Sequence, residues 1–355
     1  MRLSSVEVIP YALPFKEPYV TARGVLERRE MVLLRLRDED GVVGLGEAVP
    51  LALRGGVGLT EVVRELEGWA ETREAGGLSA PARCAVACAE MDLRGRRAAG
   101  WAPAEGQTEA VPCNATLVAG APEAVAAQAL RWAEDGFTTF KLKLGAESAK
   151  TRTESGFSRT RDVETVEAVR QAVGGEARIR VDVNEAWDVE SAKRALAEIE
   201  PLGIELAEQP VAGLEAMAEL AASTSIPLAA DESVASIEEA ERAAALGACE
   251  FTGIKLAKVG GPEEALAITD VLPAYVTSAL DGPVGIAAAA QVALSLAETG
   301  HPERLHLAHG LATQRLFAET IAAVECELRD GMLHLPPGPG LGVEIDEDAL
   351  QAHRI

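Results

Sequence analysis

Several things are scarce in this 355-residue chain, and each scarcity removes a class of protein. No run approaches the ~20 apolar residues that span a bilayer, and Met1–Pro10 has no signal-peptide core. The expectation is therefore a cytoplasmic protein with no membrane contact. Positive charge is short, with a formal net charge of −23. That argues against nucleic acid and anionic membrane surfaces as partners. Cysteines number five (Cys84, Cys88, Cys113, Cys249, Cys326), odd and scattered, which reads as reduced core thiols and neither a disulfide frame nor a zinc site. No G-x-G-x-x-G follows a first strand, so a dinucleotide-binding open sheet is disfavoured.

Lysine is the most telling scarcity. Only seven of the 33 basic residues are lysine, and four of the seven lie in two short segments: Lys141 and Lys143 in Phe140–Lys143, Lys255 and Lys258 in Gly253–Lys258. Arginine keeps its proton at any working pH, whereas a buried lysine can lose it. A chain that otherwise chooses arginine keeps lysine where a base must titrate.

What is present is a repeating unit. Val181–Asn184, Ala207–Pro210, Ala230–Ser233 and Gly253–Lys258 each place a polar residue at the end of a short apolar run. The steps Asp182 to Glu208, Glu208 to Asp231 and Asp231 to Lys255 are 26, 23 and 24 residues, about one strand, loop, helix and loop. Eight strands are expected near 111–116, 139–144, 178–183, 204–208, 226–231, 251–256, 275–279 and 305–308. Ala- and Glu-rich helices lie between them, among them 122–134, 191–198, 237–245 and 262–271. Eight right-handed βα units close into a barrel whose site lies at the strands' C-terminal ends.

Residues 1–108 read differently. Strands come first (Val6–Ile9, then a 31–37/42–48 hairpin turning at Asp38–Gly41) and helices follow (60–69 and 81–97), as in a small α+β domain. Tyr19–Gly24 reads as a polar loop able to cover a site elsewhere. The expected organisation is an α+β capping domain at 1–108, a catalytic barrel at 109–324, and a tail at 325–355 that packs on the capping domain. The fold class is α/β, a modified (β/α)7β TIM barrel. The polar segment Ala146–Asp162 is too long for an ordinary βα loop and reads as a disordered insertion or a lid.

Asp182, Glu208 and Asp231 would point into one space from adjacent strands. Crowded carboxylates raise one another's pKa unless a cation divides them. With no His or Cys beside the trio, a hard, oxygen-seeking divalent ion is the expected cofactor: Mg²⁺, with Mn²⁺ as a substitute. Lys141 and Lys143, two apart, share a strand face. Lys143, nearer the strand end, takes the reacting position, and Lys141 acts on it through like charge. Lys255 stands on the opposite wall. A small-molecule carboxylate between the lysines could lose its α proton, giving racemisation or elimination. His306 and His309, without a third ligand, read as structural or loop residues.

The motifs Lys141-Leu-Lys143, Asp182-Val-Asn184, Glu208-Gln-Pro210, Asp231-Glu-Ser233 and Ile254-Lys-Leu-Ala-Lys258 resemble the enolase superfamily, in its muconate lactonising subgroup, over essentially the whole chain. The resemblance implies Asp182, Glu208 and Asp231 as metal ligands, Lys143 and Lys255 as the acid/base pair, and Asn184 and Glu232 as polar groups behind them. Thr277–Gly285, Ala308–Thr313 and Pro339–Gly342 are similar to o-succinylbenzoate synthases, although the seventh-strand segment reads Thr-Ser where Ser-Ser is expected. No Asp-x-Asp pair of the dipeptide epimerase kind lies between Leu305 and Arg315. This resemblance implies dehydration of 2-succinyl-6-hydroxy-2,4-cyclohexadiene-1-carboxylate, a step of menaquinone synthesis. Lys143 would take the proton and return it to the leaving hydroxyl, and Lys255 would stabilise the enediolate. Thr21, Arg23, Lys141, Ser278, Ala279 and Asp281 would contact substrate. N-acylamino acid racemisation or dipeptide epimerisation with the same lysines is the alternative. A homo-oligomer is left open.

Overall fold

The structure is a computed structural model that describes residues 2–21, 24–52, 55–98, 110–145, 159–298 and 307–355. The N-terminal sheet is an antiparallel meander of β1 (Leu3–Thr21), β2 (Gly24–Asp38) and β3 (Val43–Ala48). Its tight turn is set by Asp38, whose carboxylate accepts from the Asp40 and Val42 N–H groups, with Gly41 left-handed at φ 84°. Tyr19–Thr21 and Gly24 belong to strands. The polar loop expected at 19–24 is thus corrected: the β-forming pairs Tyr19–Leu26 and Val20–Val25 carry the β1–β2 ladder almost to its tip.

The period-two pattern of β3 decides how this sheet is used. Leu45 and Val49 join the large core shared with the barrel, whereas Ala48 joins a smaller core under α1 (Leu59–Thr72) and α2 (Ala80–Ala98). Gly44 and Gly46, on the α2 side, are side-chain-free for a steric reason. A Cβ on Gly46 would sit 1.9 Å from the Ala85 carbonyl oxygen. The backbone of α2 therefore lies directly on the strand.

The parallel sheet takes its strands in sequence order. β4 (Ala110–Pro112) precedes it, and the sheet runs through β5 (Ala115–Leu117), α3 (Pro122–Glu134), β6 (Thr139–Lys143), α4 (Arg159–Val173), β7 (Arg178–Asp182), α5 (Val189–Ile199), β8 (Ile204–Glu208), α6 (Leu214–Ala221), β9 (Leu228–Ala230), α7 (Ile237–Leu246), β10 (Phe251–Ile254), the short α8 (Leu256–Val259), α9 (Pro262–Thr269), β11 (Ala274–Val276) and α10 (Pro283–Glu298). The eighth position is filled by His309 and Gly310, which make parallel bridges to Cys113 and Thr277 and join the two edges of the seven-stranded sheet.

The strand expected at 305–308 is partly outside the described residues, and the pairing lies one step later than expected. The strand expected at 111–116 is two: β4 pairs with the tail, and only β5 enters the barrel. The strand at 251–256 stops at Ile254, because Lys255 and Leu256 open the next helix. Residues 146–158 of the expected insertion lie outside the described residues. Its last four residues are the first turn of α4, and the Asp162 carboxylate there accepts the Gly145 N–H at 3.2 Å.

The tail runs through β12 (Ala322–Val324), β13 (Glu327–Arg329), β14 (Met332–His334), β15 (Glu344–Ile345) and α11 (Glu347–His353). It returns to the N-terminal sheet and α2. Asp92 accepts from the Leu341 N–H, Arg35 pairs with Glu347, and the Ile355 N–H donates to the Pro10 carbonyl. Among the described residues, no helix is long and apolar enough to cross a membrane.

One carboxylate links cap and barrel. Glu47 of β3 accepts from Tyr11 Oη at 2.8 Å and from the Gly282 N–H at 2.6 Å, and the Gly285 N–H points at it as well. It thus caps α10 from another layer of the molecule. A Cβ at Gly282 or Gly285 would meet its oxygens at 2.7 Å. Burial, with Asp281 alongside, raises the Glu47 pKa from its ordinary 4.5 to about 7. Because the folded pKa lies above the unfolded one, the folded state holds the extra proton. The stabilisation is complete below pH ~4.5 and is lost as pH rises through about 7, at most about 3.5 kcal/mol at ~1.4 kcal/mol per pKa unit. Urea titrations at pH 5 and 7.5 should show wild-type stability falling over that interval, and Glu47→Gln should flatten the fall. Parallel pH profiles for the two proteins would remove Glu47 from this role.

Candidate active site

The register of the parallel strands sets Lys143, Asp182 and Glu208 level. Lys143 pairs with Asp182, and Asp182 with Glu208. Asp231 follows the last residue of β9, and Lys255 the last residue of β10. The period of two then puts a second layer beneath them on the same inward face, made of Lys141, Arg180, Leu206, Ala229, Gly253 and Tyr275. The upper layer could carry reaction, and the lower layer is what it stands on.

The three carboxylates are buried: Asp182 is 1% exposed, and Glu208 and Asp231 are 0%. Each is held by lysine. Lys141 Nζ lies 2.8 Å from Asp182 Oδ2 and 2.6 Å from Glu208 Oε2. Lys143 Nζ reaches the same Asp182 oxygen at 2.5 Å and donates to Asn184 Oδ1 at 2.9 Å. Lys255 is hydrogen-bonded to Asp231 Oδ2, and Lys258 approaches Asp231 Oδ1 at 3.0 Å. Burial opposes the charge on Lys141, but Asp182 and Glu208 outweigh it and raise its pKa, so it is a fixed ammonium. Burial likewise opposes the charge on Asp182, yet Lys141 and Lys143 hold its carboxyl well below the usual carboxylate range. Glu208 is pushed upward, by burial first and then by Asp182.

Sharp turns at the strand ends aim these groups. Asn184, Glu185 and Gln209 all have positive φ (48°, 64° and 39°), a costly conformation for non-glycine residues. The side chain of Gln209 makes four hydrogen bonds. Its oxygen accepts from the Asp231 and Ser233 N–H groups, and its nitrogen donates to the Val211 carbonyl and Ser233 Oγ. It therefore fixes the β9 end that carries Asp231. Asn184 Nδ2 donates to Glu232 Oε1 at 3.0 Å, joining the ends of β7 and β9 around Lys143.

Every predicted ligand and lysine is in this cluster, and Asn184 and Glu232 stand behind it. Lys141, expected against substrate, lies between Asp182 and Glu208. Ser278 and Asp281 spend their side chains within their own loop: Ser278 Oγ donates to Asp281 Oδ2 at 2.6 Å, and that oxygen also accepts the Ala279 N–H. The Ala279 carbonyl accepts from Arg29. Thr21 is the last residue of β1, while Arg23 and His306 lie outside the described residues. His309 is buried, its Nδ1 accepts the Val276 N–H, and burial with Arg180 nearby pushes its pKa down to about 3. It is a neutral strut of barrel closure.

The sequence reading passed over Lys258, Gln209, Arg180 and Tyr275. Lys258 was visible as one of the few lysines. Arg180 could have been found by stepping two residues back from Asp182, as Lys141 is from Lys143.

The donor set suits a hard divalent cation: oxygen-only side chains from three neighbouring strand ends, with no soft ligand beside them. Ammonium groups stand among these carboxylates, and among the described residues no three acidic, imidazole or thiol groups close on a single point.

Comparison with known proteins agrees with this geometry. The family model "Enolase C-terminal domain-like" matches residues 124–349. The chain is 36% identical over 285 residues to an o-succinylbenzoate synthase of Thermobifida fusca (strain YX), covering 78% of this chain and 82% of the relative. It is 29% identical over 380 residues to muconate cycloisomerase 1 of Pseudomonas putida, covering 97% and 96%. Among solved structures, the muconate lactonizing enzyme of Pseudomonas fluorescens complexed with muconolactone superposes with a TM-score of 0.83 at 29% identity, covering 100% of this chain and 99% of that one. By its family match, its barrel and its row of strand-end carboxylates, the chain belongs to the enolase superfamily of enzymes.

Proposed function

We propose that the protein is a Mg²⁺-dependent carbon–oxygen lyase, an o-succinylbenzoate synthase that dehydrates 2-succinyl-6-hydroxy-2,4-cyclohexadiene-1-carboxylate. The observation that carries the reading is the pair of lysines on opposite walls, Lys143 on β6 and Lys255 after β10, flanking the three carboxylates. The 36% identity to the Thermobifida synthase supports the choice of substrate.

Asp182, Glu208 and Asp231 would hold the cation, with Mn²⁺ as a substitute. When bound, it would supply positive charge against the substrate carboxylate as that group gains electron density. Lys143 Nζ takes the proton α to the carboxylate. The C–H electron pair moves into the carboxylate to give the enediolate, then returns to form the ring double bond as the C–O bond on the same face breaks, and Lys143 gives its proton to the departing hydroxide as water. Lys255 stays cationic and faces the enediolate oxygens across the site. Asn184 holds the Lys143 amine on line through its Oδ1. One base serving both steps makes the elimination syn.

The same opposed lysines could exchange an α proton between the two faces of an N-acylamino acid or a dipeptide. Their symmetric placement favours that isomerase as the second reading, although Leu305–Arg315 offers no Asp-x-Asp pair for an amino group.

The loss of diene absorbance with Mg²⁺ tests the proposal, with cis,cis-muconate as a comparison substrate. Wild type should turn over the diene. Lys143→Ala and Lys255→Ala, checked for folding by circular dichroism, should each lose about 10²–10⁴-fold in rate. A folded, Mg²⁺-loaded wild type that leaves the diene intact refutes the synthase. Exchange of α protons in D₂O by an N-acylamino acid, with each lysine variant losing exchange from one enantiomer, would then establish the racemase. A separate prediction concerns the cation: exhaustive EDTA treatment should abolish turnover, and added Mg²⁺ or Mn²⁺ should restore it. Full activity after chelation would refute the metal-assisted mechanism.

A further inference from the structure

We infer that Tyr275 is a positioning residue for Glu208, setting how that carboxylate is presented to a divalent cation; the inference rests on the metal-assisted reading above. Glu208 is the middle carboxylate of the three and is wholly buried, so its orientation depends on its donors. One is Lys141, within 2.7 Å of both Glu208 oxygens. The other is Tyr275, which reaches across from β11 and donates its hydroxyl to Oε2 at 2.5 Å.

The barrel interior is shaped to let this phenol through. Tyr275 pairs with Gly253 on β10, and a Cβ there would come within 3.3 Å of the phenol oxygen. Ala229 on β9 packs against it in the same small cluster. Gly253 at the register position of Tyr275 and Ala229 at that of Glu208 thus leave small side chains on the two strands between them. Arg180 covers the ring, its guanidinium carbon 4.9 Å from the centroid, and a desolvated cation on an aromatic face holds the ring in place. Arg180 is itself hydrogen-bonded to Glu205 and to the Ala308 carbonyl. The phenol therefore has one orientation and one acceptor.

A neutral donor suits this place. A further ammonium on Glu208 would compete with a cation for the carboxylate, whereas a phenol hydroxyl ties one oxygen down without adding charge. Groups of this kind behind a metal ligand change affinity or activity by about 10–100-fold when removed.

The test is binding of Mn²⁺ alone, followed by loss of the free-ion electron paramagnetic resonance signal, for wild type, Tyr275→Phe and Gly253→Ala. Phenylalanine keeps the ring and deletes only the donor. Its Mn²⁺ dissociation constant should rise about tenfold or more, while the melting temperature of the metal-free protein moves far less than that of the Mn²⁺-saturated protein. Gly253→Ala, which crowds the phenol oxygen but keeps it, should weaken binding in the same direction by less, and it carries the test if Tyr275→Phe does not fold. Unchanged Mn²⁺ affinity in the folded variants overturns the assignment and leaves the metal reading standing. A wild type that takes up no Mn²⁺ overturns the metal reading and this one with it.

Discussion

Three carboxylates almost without solvent, side by side at one end of a barrel, are the constraint from which the rest of the site follows. A buried carboxylate needs a partner, and like charges at this spacing resist joint ionisation. The protein answers with four lysines. Lys141 spans Asp182 and Glu208, Lys143 shares the Asp182 oxygen, and Lys255 and Lys258 lie on Asp231. The two lysines proposed to carry the chemistry thus also lie against the carboxylates as ion-pair partners. Under the proposed mechanism, a bound cation would take over those contacts and free the lysines to face a substrate. Lys141 differs in being fixed between two carboxylates, and that makes it architectural.

The same economy governs the layer below. Arg180, Tyr275 and Lys141 each reach up to hold something in the upper layer or to hold its holder, and every one is two residues before a strand-end position. Glycine and alanine on the strands between them are spaces that those long side chains occupy. Exchanging a small residue there would disturb the carboxylate row without touching it.

The barrel was legible because its signal repeats: a carboxylate or lysine every 23 to 26 residues after a short apolar run leaves few other topologies. The clustering of the strand-end carboxylates and lysines was legible for the same reason. The strand at 111–116 was misjudged because an apolar run of six cannot reveal that its first half pairs backwards with a hairpin more than 200 residues later. The loop expected at 19–24 was misjudged because polar residues at a hairpin tip look like a loop while cross-strand pairs such as Val20–Val25 still hold a ladder. Tyr275 was invisible for a different reason. Its role depends on Gly253 and Ala229 being small on the two strands that separate it from Glu208, and that juxtaposition is made by pairing across four strands, which no local pattern carries.

The groups proposed for the chemistry and those expected to read the substrate lie on different elements, and that explains why the motifs speak more clearly for one than for the other. The groups proposed to move protons stand at strand ends. The parts expected to read the substrate are the tip of the β1–β2 hairpin and the loop of residues 277–285. In this structure that loop is committed to its own geometry, with Ser278 and Asp281 bonded to each other and Arg29 donating to the Pro50 and Ala279 carbonyls from the second strand of the hairpin. Arg29 therefore ties the hairpin to the loop, and Glu47 ties the sheet to the helix that follows the loop. If this loop reads the substrate as expected, that frame of backbone and ionic contacts would set its position, because side chains that already bond one another present their loop as a unit. Exchanging a single loop side chain would thus be a weaker lever on specificity than altering how Arg29 or Glu47 seats the cap on the barrel.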